Sequence, residues 1–139
     1  MAKLTAPVLA VILASGILAF GAQAAAAPAS PQAASSSAIV EQAFGNTIVS
    51  HYADGRSAEL WLNPDGSYTA RGRRHEPSNG HWRVRGSKLC LRQAHPATLP
   101  ISYCTRIPSD PSIRQWSSKA FTGEDILVSL EPGRADSPA

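Results

Sequence analysis

From residue 47 onward, apolar and polar positions alternate with a period of two. Thr47 to Tyr52 is rich in β-branched and aromatic residues and stops at Asp54-Gly55, a strong turn pair. Ala58, Leu60 and Leu62 alternate with Glu59 and Trp61 before the reversal at Asn63-Pro64-Asp65-Gly66. Tyr68 and Ala70 alternate with Thr69, Arg71 and Arg73. Trp82 and Val84 alternate with His81, Arg83 and Arg85, and Leu89 and Leu91 return after a turn at Gly86. Ile101 and Tyr103 face inward on a sixth strand that carries Cys104. A seventh runs over 114–121, with Trp116, Ser118 and Ala120 in step, and Ile126, Val128 and Leu130 form a last strand ended by Pro132-Gly133. Loops are expected over 74–80, which contains Pro77, and over 94–100, where Pro96 and Pro100 oppose a strand. A helical stripe occurs over Ile39, Val40, Ala43 and Phe44, ended by Gly45. The pattern predicts an all-β domain, a small antiparallel meander closing as a β-barrel or folding as a sandwich, behind one short N-terminal helix. The inward positions look large enough to fill so small a barrel, leaving little room for a ligand.

The first 37 residues read differently. Lys3, an apolar run from Val8 to Phe20 and Ala22-Gln23-Ala24 have the order of a secretory signal cut after residue 24. Residues 25–37 contain only Ala, Pro, Gln and Ser, a composition that buries too little to offset the entropy of ordering it, and read as a disordered linker. One β-domain over 38–134 and a disordered tail over 135–139 complete the organisation. The mature chain is expected in the periplasm or outside the cell, with no transmembrane span after signal cleavage. In an exported chain the isolated pair Cys90 and Cys104 reads as one disulfide, because it lacks the C-x-x-C spacing of redox-active thiols.

The order Gly45-Asn46-Thr47, Asp54-Gly55, Trp61 before Asp65-Gly66 and Tyr68, then Gly80 to Trp82, Leu89-Cys90 and Cys104 resembles a loose group of small secreted or periplasmic β-domain proteins of Gram-negative bacteria. Most members have no assigned function. The resemblance implies an exported β-domain; its motifs are turn glycines, aromatics and cysteines, so it implies no catalytic or binding residue.

Charge placement adds a functional expectation. Between Arg71 and Arg92 seven basic residues stand against Glu76 alone, a local charge of +6, whereas the rest of the chain after residue 24 holds five basic and nine acidic residues. Consecutive hairpins would put Arg71, Arg73, Arg83, Arg85, Lys88 and Arg92 on one outer face. Like charges on adjacent strands repel, which motivates an anion-binding role; charge that merely solubilises an exposed strand is the competing explanation. Trp61, of opposite parity to Leu60 and Leu62, and His81 are possible further contacts. Export and the lack of interleaved aromatics argue against nucleic acid. His51, His75, His81 and His95 match no zinc spacing, so no metal or other cofactor is expected. No nucleophile elbow, H-E-x-x-H or S-x-x-K motif occurs, and no catalytic residue is assigned. The expectation is a non-enzymatic binding module for an anionic glycolipid, a cell-wall polymer or an acidic protein surface. The alternative is a protein inhibitor of an extracytoplasmic wall enzyme, using 74–79 or 94–100 as a wedge, with a small hydrolase or a lipocalin-like ligand carrier with an open barrel ranked below both.

Overall fold

A computed structural model describes residues 38–97 and 101–134. The signal segment 1–24, the linker 25–37 and the tail 135–139 lie outside the described residues. A helix over 38–43 is followed by eight strands: β1 (Thr47–His51), β2 (Ser57–Leu62), β3 (Ser67–Arg71), β4 (Pro77–Arg85), β5 (Lys88–His95), β6 (Ser102–Arg106), β7 (Gln115–Lys119) and β8 (Asp125–Glu131). They form one sheet in the order β6-β5-β4-β3-β2-β1-β8-β7. Every neighbouring pair is antiparallel, and β8 returns to lie beside β1. The sheet is therefore a meander wrapped almost into a barrel, with a seam between β6 and β7.

Side chains bridge that seam. The hydroxyls of Thr105 and Ser118 are hydrogen-bonded to each other, and Tyr103 Oη donates to the Lys119 carbonyl. The Tyr103 and Phe121 rings meet edge to face, 6.3 Å between centroids. These contacts hold two edge strands together where the backbone ladder stops.

The period-two reading explains the interior. Ile48, Leu62, Tyr68, Leu89, Ile126, Val128 and Leu130 are buried in one core, with Leu60, Trp82, Val84, Leu91 and Trp116 packed against it. The helix adds Val40 and Ala43 to that core, and Phe44 lies against Trp82 at 5.8 Å. Six residues of helix are too short to hold on propensity alone, so this apolar face is what keeps the helix in place.

Three expectations are corrected. First, β4 begins at Pro77 rather than after Gly80. Pro77 is the first residue of its strand, where the missing N–H is tolerated. Second, β5 continues to His95, so only the end of the expected 94–100 loop remains, and 98–100 lie outside the described residues. A register shift between Asn79 and Gly80 accommodates this extension: Gly80 pairs with Gln93 and Asn79 with His95, leaving Ala94 as the extra residue of a bulge. Third, the interior is not filled. Ser50 lies opposite Ala58, and Ala70 lies opposite Ser78; these small side chains, with larger ones around them, border a cavity of ≈ 180 Å³.

Candidate functional site

The cationic face is built on β4, β5 and β6. In β4, His81, Arg83 and Arg85 are exposed, while Gly80, Trp82 and Val84 turn inward. Gly86, at φ 58°, opens a two-residue turn that a residue with a Cβ would strain, and it sets Arg85 opposite Lys88. From there the register carries three rows across the strands. The first is Arg85–Lys88–Arg106, the second Arg83–Cys90–Cys104, and the third His81–Arg92–Ser102. With ordinary strand spacing the rows span about 10 Å across and about 14 Å along the sheet.

The Cys90–Cys104 disulfide sits in the middle row and links β5 to β6. It is uncharged, and it fixes the strands that carry Lys88, Arg92 and Arg106. Arg83, Arg85, Lys88, Arg92 and Arg106 are all exposed. Among the described residues none of the five makes an ion pair. The bulge at Asn79 and Gly80 lies beyond this segment, so parity is unbroken from the Gly80–Gln93 pair to the Arg85–Lys88 turn.

Arg71 and Arg73, expected on the same face, are elsewhere. Arg71 lies opposite Glu59 on β2 and donates to its carboxylate at 3.1 Å, with its guanidinium 5.6 Å from the Trp61 ring centroid. Arg73 falls past the end of β3, where it bonds Glu124 at 2.8 Å, lies 3.8 Å from Asp54 and stacks over Tyr52 at 4.9 Å. Both charges are thus compensated by carboxylates that the fold brings in from β2 and from two turns. Likewise Lys119 pairs with Asp125. Opposite charges meet on the remaining strands and like charges collect on β4–β6.

Sequence reasoning missed Arg106. The signal was present, because antiparallel pairing through the disulfide places the residue two after Cys104 opposite the residue two before Cys90.

Trp61 is not an exposed contact. It is 2% exposed, and its indole N–H donates to Thr47 Oγ1 at 2.9 Å, which in turn donates to the Gly133 carbonyl. Its parity is outward as expected, but the segment after β8 and the Arg71 guanidinium cover it. The 74–79 wedge is also absent as such. Residues 72–76 form a tight turn closed by Gly72 N–H to the Glu76 carbonyl at 2.9 Å, and His75 N–H to the Gly72 carbonyl at 2.7 Å. Among the described residues no His, Cys, Asp and Glu group could hold a metal, and no helix is long and apolar enough to cross a membrane. Comparison with protein-family models, curated proteins and solved structures finds no match.

Proposed function

We propose that this protein is an exported, non-enzymatic binding module whose β4–β6 face docks on an anionic component of the cell envelope. The observation that carries the reading is the set of three rows holding Arg83, Arg85, Lys88, Arg92 and Arg106, without a carboxylate partner among the described residues. Cations directly opposite one another, as Arg85, Lys88 and Arg106 are, destabilise the sheet that carries them. A partner bearing phosphates or carboxylates relieves that repulsion. Arginine outnumbers lysine four to one in the face and presents a planar fork suited to both groups. Export is part of the proposal: the N-terminal signal pattern, the resemblance to small secreted β-domains and the disulfide all support it.

Cosedimentation of the oxidised protein with vesicles of anionic phospholipid, and with an anionic wall polymer, tests the proposal across a salt series. Charges at this face are screened over about 10 Å at 0.1 M salt and about 3 Å at 1 M. Binding should therefore fall steeply over that range and be weak on zwitterionic vesicles. Binding indifferent to salt, or none to either anionic surface, would sink it.

A further inference from the structure

The barrel is stopped at one end and open at the other. Ile39, Val40 and Ala43 of the helix border the interior cavity of ≈ 180 Å³, beside Ile48 near the start of β1 and Leu130 near the end of β8, so the helix forms its floor. Away from the helix the border is cut back to Ser50, Ala58, Ala70 and Ser78, toward the other ends of β1 to β4. There the cavity continues into a wider depression of ≈ 550 Å³. Ala70, Ser78, Leu91 and Tyr103 border both spaces, and the exposed Ile101 and Phe121 line the outer one. Polar groups along this path have partners of their own or stay near the mouth. The charged residues on the cavity border, Glu59 and Arg71, are bonded to each other at 3.1 Å, and the hydroxyls of Thr105 and Ser118 are bonded to each other. Among the described residues no charged side chain lines the depression. The side chains of the floor offer water none of the two to four polar partners it needs, whereas an apolar protein cavity of about 150 Å³ takes up benzene. A closed barrel of about eight strands is wide enough to hold one small ligand, and barrel mouths are frequent ligand sites.

We infer that the barrel is a cup for one aliphatic chain of a monomeric amphiphile, its methyl end against the helix and its polar end in solvent at the mouth formed by Ile101 and Phe121. A chain is favoured over a compact ring because a ring filling the cavity would leave Ile101 and Phe121 in water, whereas a chain covers the floor and the mouth together. A charged end stays outside the cavity, since its desolvation there would be uncompensated. The cup lies inside the wall whose outer side carries the cationic rows, and the inference does not depend on them.

The test uses 1-hexanol, 1-octanol and 1-decanol, which are uncharged, so its outcome is separate from that of salt-dependent binding to anionic surfaces. Each is titrated into the oxidised protein by calorimetry, with the methyl resonances of Val128, on the cavity border, followed by NMR. We expect saturable binding that tightens roughly ten-fold for each added pair of methylenes, at up to about four-fold per buried methylene, and a shift of the Val128 methyls. Ala70→Leu, at the passage between cavity and depression, should weaken 1-decanol binding by about ten-fold or more. Phe121→Ser changes an exposed turn residue and carries the test if Ala70→Leu does not fold. It should weaken 1-decanol roughly five-fold, corresponding to about 40 Å² of apolar contact, and leave 1-hexanol within about two-fold. No saturable binding of any alcohol, an affinity flat from six to ten carbons, Val128 methyls unmoved at saturation, or 1-decanol affinity unchanged in Phe121→Ser or in folded Ala70→Leu would each overturn the inference.

Discussion

A methyl group added at Gly80 would have to occupy space already held by the backbone of β5. A Cβ built there lies 2.9 Å from both the Arg92 carbonyl carbon and Gln93 Cα, inside the 3.0 Å limit, and closer still to the Arg92 carbonyl oxygen. None of these atoms belongs to a flexible side chain, so the two strands must part by on the order of 1 Å where the bulge begins. Overpacking of this kind costs typically 1–3 kcal/mol, a loosened ladder hydrogen bond adds about 1, and the entropy gained on replacing glycine returns roughly 0.4–1. The net for Gly80→Ala is a loss of about 2 kcal/mol, or a fall in Tm of about 10 °C for a domain of this size. Gly72 provides the control, because a Cβ there meets first the Glu76 carboxylate, at 3.4 Å, which can move. Gly72→Ala should stay within about 0.5 kcal/mol of the parent. Thermal and urea unfolding of both variants in the oxidised form decide the matter. A Gly80→Ala protein melting within 2–3 °C of the parent, taking about 4 °C as the least shift for 1 kcal/mol, would refute the close-approach account of this hairpin.

Other consequences follow from the same contacts. Replacing both Cys90 and Cys104 by alanine should cost about 3 kcal/mol in urea unfolding, since the bridge closes a loop with a sequence separation of 14; equal midpoints would show that β5–β6 pairing needs no cross-link. Arg71→Ala removes the Glu59 ion pair and the stacking on Trp61. Both are partly solvated, so the loss should be about 0.5–1 kcal/mol and smaller at high salt. Burial pushes the Tyr52 phenol above its ordinary value of 10.0, against the lowering effect of Arg73, and burial raises Tyr68 as well. The folded state thus holds these protons more tightly than the unfolded chain. Their contribution is full below pH 10.0 and is lost as pH climbs through the raised values, so stability should fall on that alkaline limb, less steeply in Tyr52→Phe. An identical pH profile for that variant would contradict the assignment.

Much of the fold was legible because the alternation is clean wherever side chains face a dry interior. From Gly80 to Arg92 a residue's parity alone gave its side of the sheet, and the face bearing Arg83, Arg85, Lys88 and Arg92 followed from it. What escaped depends on contacts distant along the chain. Arg73 is compensated by Glu124, 51 residues away, and Trp61 is covered through Thr47 and the segment at Gly133. Neither relation leaves a periodic trace. The cavity escaped for a related reason. Ala58, Ala70 and Ser78 are unremarkable inward residues one at a time, and they leave a gap because the register places them near one another around a nearly closed wall. The bulge at Asn79 and Gly80 has no signature beyond a glycine in a strand.

The central claim is that the uncompensated cations of β4–β6, and not the net charge, make the binding surface. Two double neutralisations with the same change in net charge separate these ideas. Arg83→Gln with Arg106→Gln takes two of the five cations from the face, whereas Arg71→Gln with Arg73→Gln removes cations already paired to Glu59 and Glu124. Measured side by side on anionic vesicles at 0.15 M salt, a screening length of about 8 Å, the first pair should weaken binding on the order of 30-fold, at about 1 kcal/mol per cation at the surface. The second should leave it within about two-fold, and equal losses, or a larger loss from Arg71 and Arg73, would contradict the account.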